Sequence, residues 1–107
     1  MKYTIKTEAS IGNNYTVNPL QGDIFVLPLS EPLTTIAVNN ADPGTSIDLI
    51  LKQTVTGRKV QWATNIQFAF FRTPKLAYDI GFADKINLLT LDGTNWIATY
   101  DAGWFNA

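Results

Sequence analysis

The side chains that we consider as candidates for acid–base chemistry in this sequence are carboxylates. The 107 residues contain no histidine and no cysteine, which excludes thiolate nucleophiles, histidine-based triads, disulfides and zinc ligation by those residues. Two carboxylates alone can hydrolyse a glycosidic bond. The candidates are Asp23, Asp48, Asp79, Asp84, Asp92, Asp101, Glu8 and Glu31.

The positions of these carboxylates favour structural roles over catalysis. Asp23 and Asp92 adjoin glycines in predicted turns, where aspartate is a common turn former. Asp48 alternates with Ile47 and Leu49, the pattern of a solvent-facing strand residue. A chain of this length also leaves little room for a substrate cleft. We therefore predict no catalytic residues and do not expect an enzyme.

Oxygen ligands for a calcium ion occur at Asp79, at Asp84 and in the loop 39–42. Their spacing matches neither an EF-hand nor a calcium-binding nonapeptide repeat. The sequence also has no glycine-rich phosphate loop. We expect neither a metal site nor a cofactor.

Charge and hydropathy argue against nucleic-acid and membrane partners. The formal net charge is −1, and the closest approach to a basic cluster is the pair Arg58-Lys59, too little for phosphate-driven binding. No apolar run approaches the ~20 residues that span a bilayer. The N-terminus lacks the apolar core of a signal peptide. We expect a protein made in the cytoplasm without an export signal.

Residues 46–62 predict the centre of a β-sheet. Apolar residues alternate along 47–51, a Thr-Gly-Arg turn follows at 56–58, and Val60 and Trp62 share one face of a second strand. Strand, glycine turn and strand together indicate a hairpin.

Turn signals recur about every ten residues in the rest of the chain. The Asp-Gly pair at 92–93 is among the strongest signals for a tight hairpin. No ten-residue window carries the helical i, i+3, i+4, i+7 pattern without a breaker. We predict a single all-β domain over residues 1–107, with eight or nine short strands in a sandwich or barrel. The aromatic residues predicted to lie in its core are Phe25, Trp62, Phe68 and Trp96.

The two ends of the chain leave alternatives open. Tyr3 and Ile5 alternate with polar residues, which fits either an edge strand on the chain's own sheet or an arm, within residues 1–12, that reaches a neighbouring subunit. Tyr78, Trp104 and Phe105 lie outside clear strand patterns. For Trp104 and Phe105 we favour packing, within the chain or between subunits, over stacking against a sugar.

A set of turn and core residues carries a family resemblance. A strand ending in Leu-x-Leu-x-Gln precedes a Thr-Gly turn, an Arg and a strand closing on Trp, and a proline loop then leads to a Leu-Asp-Gly-Thr-x-Trp hairpin. The matching residues are Leu49, Leu51, Gln53, Thr56, Gly57, Arg58, Val60, Trp62, Pro74, Leu91, Asp92, Gly93, Thr94 and Trp96. Over most of residues 22–105, the sequence resembles a β-sandwich module of tailed-bacteriophage virion proteins.

The resemblance implies a jelly-roll-like antiparallel β-sandwich of about eight strands, with an N-terminal extended arm or strand, and usually a trimer. Such modules occur in tail fibres and as small proteins that decorate, or cement, capsids. Because no shaft or coiled coil accompanies the module here, we expect a capsid decoration protein: a homotrimer on the virion surface that binds the major capsid protein and stabilises the assembled shell. The alternative is a tail-fibre or baseplate module that binds host-surface glycans through aromatic residues. The expected contact residues are Tyr3, Ile5, Ile11, Trp104 and Phe105.

Overall fold

The structure, a computed structural model, describes residues 2–69 and 72–106, and about half of these residues lie in nine β-strands. A turn of 3-10 helix, Pro19–Gln21, separates two of the strands. Nothing in the described ranges has the length and hydropathy of a helix that crosses a membrane. The strands are β1 Ile5–Thr7, β2 Asn14–Val17, β3 Ile24–Leu29, β4 Leu33–Val38, β5 Ser46–Gln53, β6 Lys59–Trp62, β7 Ile66–Phe68, β8 Phe82–Thr90 and β9 Trp96–Asn106.

Successive strands from β1 to β6 alternate between two sheets. The six-stranded sheet has the order β1-β3-β5-β8-β9-β7, and the three-stranded sheet has the order β2-β4-β6. Each strand from β3 to β6 pairs in parallel with the strand two before it in sequence. The chain therefore passes from one sheet to the other and back with each pair of strands, and the register places Ile24 beside both Ile5 and Asp48.

Two predictions about strand pairing were wrong. The sheet is antiparallel only across β5, β8 and β9, and the parallel pairs depart from the jelly roll, whose strands are antiparallel. Strands β5 and β6 do not form a hairpin, because β3 and β8 occupy both edges of β5 and β6 pairs with β4 in the other sheet. The hairpin predicted at the Asp-Gly turn is confirmed, since Thr90 pairs with Trp96 across it.

Both sheets contribute to one hydrophobic core. Inward-facing residues alternate along β3 and β5 with half-buried ones, as expected for strands with one face against the core. Each fully buried Leu, Ile or Phe side chain contributes about 1.5–3 kcal/mol relative to exposure. The core includes Val17, Phe25, Leu27, Leu29, Ile36, Ile47, Leu49, Leu51, Ile86, Leu88 and Trp96.

The predicted core aromatics are confirmed for Phe25, Phe68 and Trp96, which are buried. Trp62 is only half-buried; its ring meets Phe68 edge-on, with centroids 5.2 Å apart. The strand predicted over 66–71 ends at Phe68, and the two phenylalanines at 70–71 lie outside the described residues. The N-terminal strand β1 pairs with β3 of its own chain, as the edge-strand interpretation predicted.

Candidate functional site

Several residues of the family resemblance stabilise turns. The side chain of Gln53 is 2% exposed. Its Nε2 donates to the Arg58 carbonyl at 2.9 Å, and its Oε1 accepts from the Arg58 N–H at 3.0 Å. These two bonds close the turn that leads from β5 to β6. They also satisfy backbone groups of Arg58 that would otherwise lack partners.

Asp92 organises the β8–β9 hairpin in the same way. Its Oδ1 accepts from the N–H groups of Thr94 and Asn95 at 2.9 and 2.8 Å, and its Oδ2 accepts from the Asn95 side chain at 2.9 Å. These bonds to the ionised carboxylate lower the pKa of Asp92 well below its ordinary value. The Asp92 carboxylate therefore stabilises the turn.

Asp84 is fully buried in β8. Its Oδ1 accepts from the Tyr100 hydroxyl at 2.6 Å, and its Oδ2 accepts from the Ala77 N–H at 2.7 Å. Burial, together with the hydrogen bond to Asp84 and its charge, raises the pKa of Tyr100 to about 12. Asp84 thus connects β9 to the irregular segment 72–78.

Other candidate carboxylates are also engaged with neighbouring groups. Asp23 accepts from the Thr4 N–H at 2.8 Å, Glu8 accepts from the Tyr15 hydroxyl at 2.8 Å, and Asp48 accepts from Asn87 at 3.0 Å. Within residues 2–69 and 72–106, no group of three or more acidic residues could hold a metal ion. The geometry therefore assigns these side chains to structural contacts.

The predicted contact residues fall in two separate places. Tyr3 and Ile5 are 65% and 60% exposed at the β1 edge, whereas Trp104 is 47% exposed near the end of β9. Phe105 beside it is half-buried. Strands β1 and β9 are four positions apart in the sheet, or about 19 Å at the usual strand spacing. Ile11, also predicted as a contact residue, is 7% exposed and packs in the core.

An apolar surface adjoins β1 on the outer face of the six-stranded sheet. Ile5 lies beside Ile24, and Val26 lies beside Ile50. Because Phe25, between Ile24 and Val26, is fully buried, strand alternation directs its two neighbours outward. We call these four isoleucine and valine residues the outer-face patch. Its three members on β3 and β5 are half-buried, and Ile5 is exposed.

A polar network bounds this patch towards β9. Lys85 Nζ lies 3.9 Å from an Asp48 carboxylate oxygen and 3.6 Å from one of Asp101. Asn87 donates to both Asp48 Oδ1 and the Ser46 hydroxyl at 3.0 Å. The outer face of the sheet is consequently apolar beside β1 and polar beside β9.

The surface at the end of β9 contains an irregularity. The β8–β9 register shifts between Ala83 and Lys85, and Trp104 has a φ of 56°, a conformation that is uncommon for a bulky residue. Its ring lies 5.8 Å from that of Phe82. A Cβ atom at Gly103 would overlap the Tyr100 hydroxyl. The bulge presents Trp104 to solvent while preserving the contact between Tyr100 and Asp84.

A groove that the sequence did not reveal lies between β6 and the segment 73–78. We call it the β6 groove; its volume is about 220 Å³. Its lining includes three cationic and two large aromatic residues: Arg58, Lys59, Lys75, Trp62 and Tyr78. In sequence, the only signals were the Arg58-Lys59 pair and a lysine after Pro74. Only the tertiary structure brings these positions together.

Comparison with protein-family models, with curated proteins and with solved structures finds no match to this chain.

Proposed function

We propose that this protein is a structural protein of a tailed-bacteriophage virion, a capsid decoration protein that binds and stabilises the assembled shell as a trimer. The residues of the family resemblance support the proposal, together with a core shared by two sheets, which suits a β-sandwich of nine strands. The observation that carries it furthest is the outer-face patch beside the exposed N-terminal strand. Apolar side chains grouped on a partly exposed sheet face are a feature of protein association sites.

The separation of the two candidate contact surfaces suits a closed ring. In a three-fold ring each subunit uses two different surfaces, because the contact is heterologous. The outer-face patch with Tyr3 would provide one of them. Trp104 and Phe105, across the same sheet, would provide the other. Covering both surfaces removes apolar area from water, which stabilises the contact by about 25 cal/mol for each Å² buried.

The stabilising mechanism is thermodynamic linkage. A trimer that binds only the assembled shell lowers the free energy of that state by mass action. Three identical contacts per trimer also raise the effective concentration of each, so that weak individual sites give strong attachment. The partner would be the major capsid protein at junctions between its subunits.

Copy number in purified virions tests this proposal. A decoration protein that covers the shell should be present at roughly one copy per major capsid protein subunit, by quantitative densitometry or mass spectrometry. The purified chain should also sediment with shells that lack it and raise their thermal disassembly temperature. Absence from virions, or failure to bind shells, would overturn the proposal.

A second candidate function, a tail-fibre or baseplate module that binds host-surface glycans, is favoured by the β6 groove. Trp62 and Tyr78 line it, and aromatic rings give large contact area to a sugar at small entropic cost. A handful of copies per virion would favour this candidate over decoration. A glycan array without any hit for the trimeric protein would contradict it.

A further inference from the structure

We infer that the β6 groove binds an acidic sugar, with the Arg58 guanidinium as the carboxylate-recognising group. The inference rests on the second candidate function above and specifies the ligand class of its site. Charge, aromatic content and shape of the groove each contribute to the argument.

The charge of the groove is one-sided. Arg58, Lys59 and Lys75 line it, and no acidic residue is among the described residues that do so. None of these three cations has a salt-bridge partner in the described part of the chain, whereas Lys6 and Lys85 do. Unpaired cations on one concave surface attract an anionic ligand.

Arg58 is the best placed of the three cations. The two bonds from Gln53 fix its backbone, and its Nε is buried without a hydrogen-bond partner among the described residues. Its stem is therefore ordered by the fold. A guanidinium offers paired donors that match the two oxygens of a carboxylate, which an ammonium group cannot do.

The aromatic residues and the volume indicate a ring-sized ligand. Trp62 and Tyr78 line the same groove as the cations. The volume of about 220 Å³ is below the roughly 300–1,000 Å³ typical of sites for drug-sized ligands. A single sugar ring carrying a carboxylate combines the flat apolar face and the negative charge that these residues would recognise.

The edge of β6 can supply further hydrogen bonds. The Lys59 N–H donates to the Pro32 carbonyl and the Ala63 N–H donates to the Ile36 carbonyl, both on the β4 side. Alternation along the strand then directs the backbone groups of Val60 and Trp62 the opposite way, towards the groove. Among the described residues these groups have no backbone partner there. Sugar hydroxyl groups can pair with such donors and acceptors.

The shape of the groove argues against an extended acidic peptide, the competing ligand with the same charge. Gly57 N–H donates to the Tyr78 carbonyl at 2.8 Å, and the Tyr78 ring lies against Gly57. This contact joins the two walls at one end. A peptide strand added along β6 would have to continue past that point, whereas a sugar ring would not.

The test uses the full chain and three probes: oligogalacturonate, the neutral galactose oligomer of equal length, and a polyglutamate peptide. Binding is followed by NMR shifts of the tryptophan indole N–H groups and of the backbone amides. We expect oligogalacturonate to shift the signals of Trp62 and its neighbours. Its dissociation constant should be at least about tenfold lower than that of the neutral oligomer, since only the acidic oligomer forms a charge-assisted bond.

The matched variants are Arg58→Gln and Lys52→Gln, which remove the same charge inside and outside the groove. Arg58→Gln should weaken oligogalacturonate binding about tenfold, and Lys52→Gln should leave it unchanged. Equal binding of the acidic and neutral oligomers would overturn the inference but leave glycan binding standing. Binding of polyglutamate alone would identify a peptide groove instead. No binding of any probe would overturn the inference, and the glycan array described above would then decide the glycan-binding candidate. Unchanged unfolding midpoints for both variants establish that they are folded.

Discussion

Gln53 and Arg58 form a closed pair in which one side-chain amide satisfies both backbone groups of a residue five positions later. Nε2 of Gln53 donates to the Arg58 carbonyl at 2.9 Å, and Oε1 accepts from the Arg58 N–H at 3.0 Å. The pair fixes the point at which the chain leaves the six-stranded sheet for the three-stranded one. It also orders Arg58, the residue to which we assign ligand recognition.

Replacing Gln53 by Leu should destabilise the protein by about 2–6 kcal/mol. Leucine is similar in size to glutamine but forms no hydrogen bonds, so the N–H and C=O of Arg58 lose their partners, at about 1–3 kcal/mol for each buried group. Urea unfolding gives the free energy directly. Gln61→Leu, the same change at an exposed position of β6, is the control and should stay within about 0.5 kcal/mol of the parent. Equal effects of the two changes would contradict this role for Gln53.

Gly93 and Gly44 provide a matched pair for separating backbone strain from steric overlap. Their φ angles are 89° and 90°, so an alanine at either position carries the left-handed cost of about 1–2 kcal/mol. A Cβ at Gly93 would lie 2.6 Å from the Ala41 carbonyl oxygen, whereas a Cβ at Gly44 would have no non-neighbouring atom within 4 Å. We expect Gly93→Ala to cost at least about 2 kcal/mol more than Gly44→Ala in thermal or urea unfolding. Similar losses would show that the close approach of Ala41 carries no energetic weight.

The carboxylate of Asp92 should make stability depend on acid pH. Its pKa is lowered in the folded protein from an ordinary value of 3.8, chiefly by the bonds from Asn95. A group with a lowered folded pKa contributes stability above its ordinary pKa and loses it progressively as the pH falls further. Asp92→Asn should therefore flatten the fall in urea midpoint below about pH 4. Asp42→Asn, an exposed turn residue, is the control, and an equally flattened profile for it would contradict the assignment.

The hydrogen bond from Tyr100 to Asp84 should protect the folded state up to high pH. The folded pKa of Tyr100 is raised from 10.0 to about 12, so its contribution is complete below pH 10 and lost as the pH rises through 12. Tyr100→Phe leaves Asp84 Oδ1 without its partner and should cost about 1–3 kcal/mol at neutral pH. Tyr3→Phe, at an exposed ring, should cost almost nothing. If Tyr100→Phe leaves the free energy of unfolding unchanged, the hydrogen bond from Tyr100 to Asp84 does not stabilise the folded state.

Local patterns predicted the strands of this fold but not their pairing. The alternation along β5 and the Asp-Gly turn before β9 are properties of a few adjacent residues, and both predictions are confirmed. A Thr-Gly turn is compatible with a hairpin and with a crossing between sheets. The choice depends on β3 and β8, which occupy both edges of β5 and lie more than twenty residues away.

The candidate surfaces show the same division. Alternation at the N-terminus predicted a strand or arm that contains Ile5, and the structure has a strand there, paired with β3. The burial of Ile11 depends instead on where the other strands lie. Likewise, nothing local relates Lys75 to Arg58, which line the same groove only because the segment 73–78 runs beside β6.

The outer-face patch should determine the oligomeric state. Ile5 is 60% exposed and lies beside Ile24, so an aspartate there would place an unpaired charge at the proposed subunit contact, where desolvation makes it costly. We expect light scattering of Ile5→Asp to give the mass of one chain where the parent gives three. The substitution should change the free energy of unfolding of a single chain by no more than about 0.5 kcal/mol, because the position is exposed within that chain.

Leu20→Asp is the matched control for that change. Leu20 is 91% exposed in the 3-10 turn Pro19–Gln21, so the same charge is introduced on an apolar residue away from the patch. The proposed trimer should persist in this variant. It should be lost when Trp104 is replaced by Asp, since a ring closes only if both of its surfaces are intact. A trimer that survives both Ile5→Asp and Trp104→Asp would place the subunit contact on another face. Loss through Ile5 but not through Trp104 would indicate a contact in which the patch meets a surface other than the end of β9.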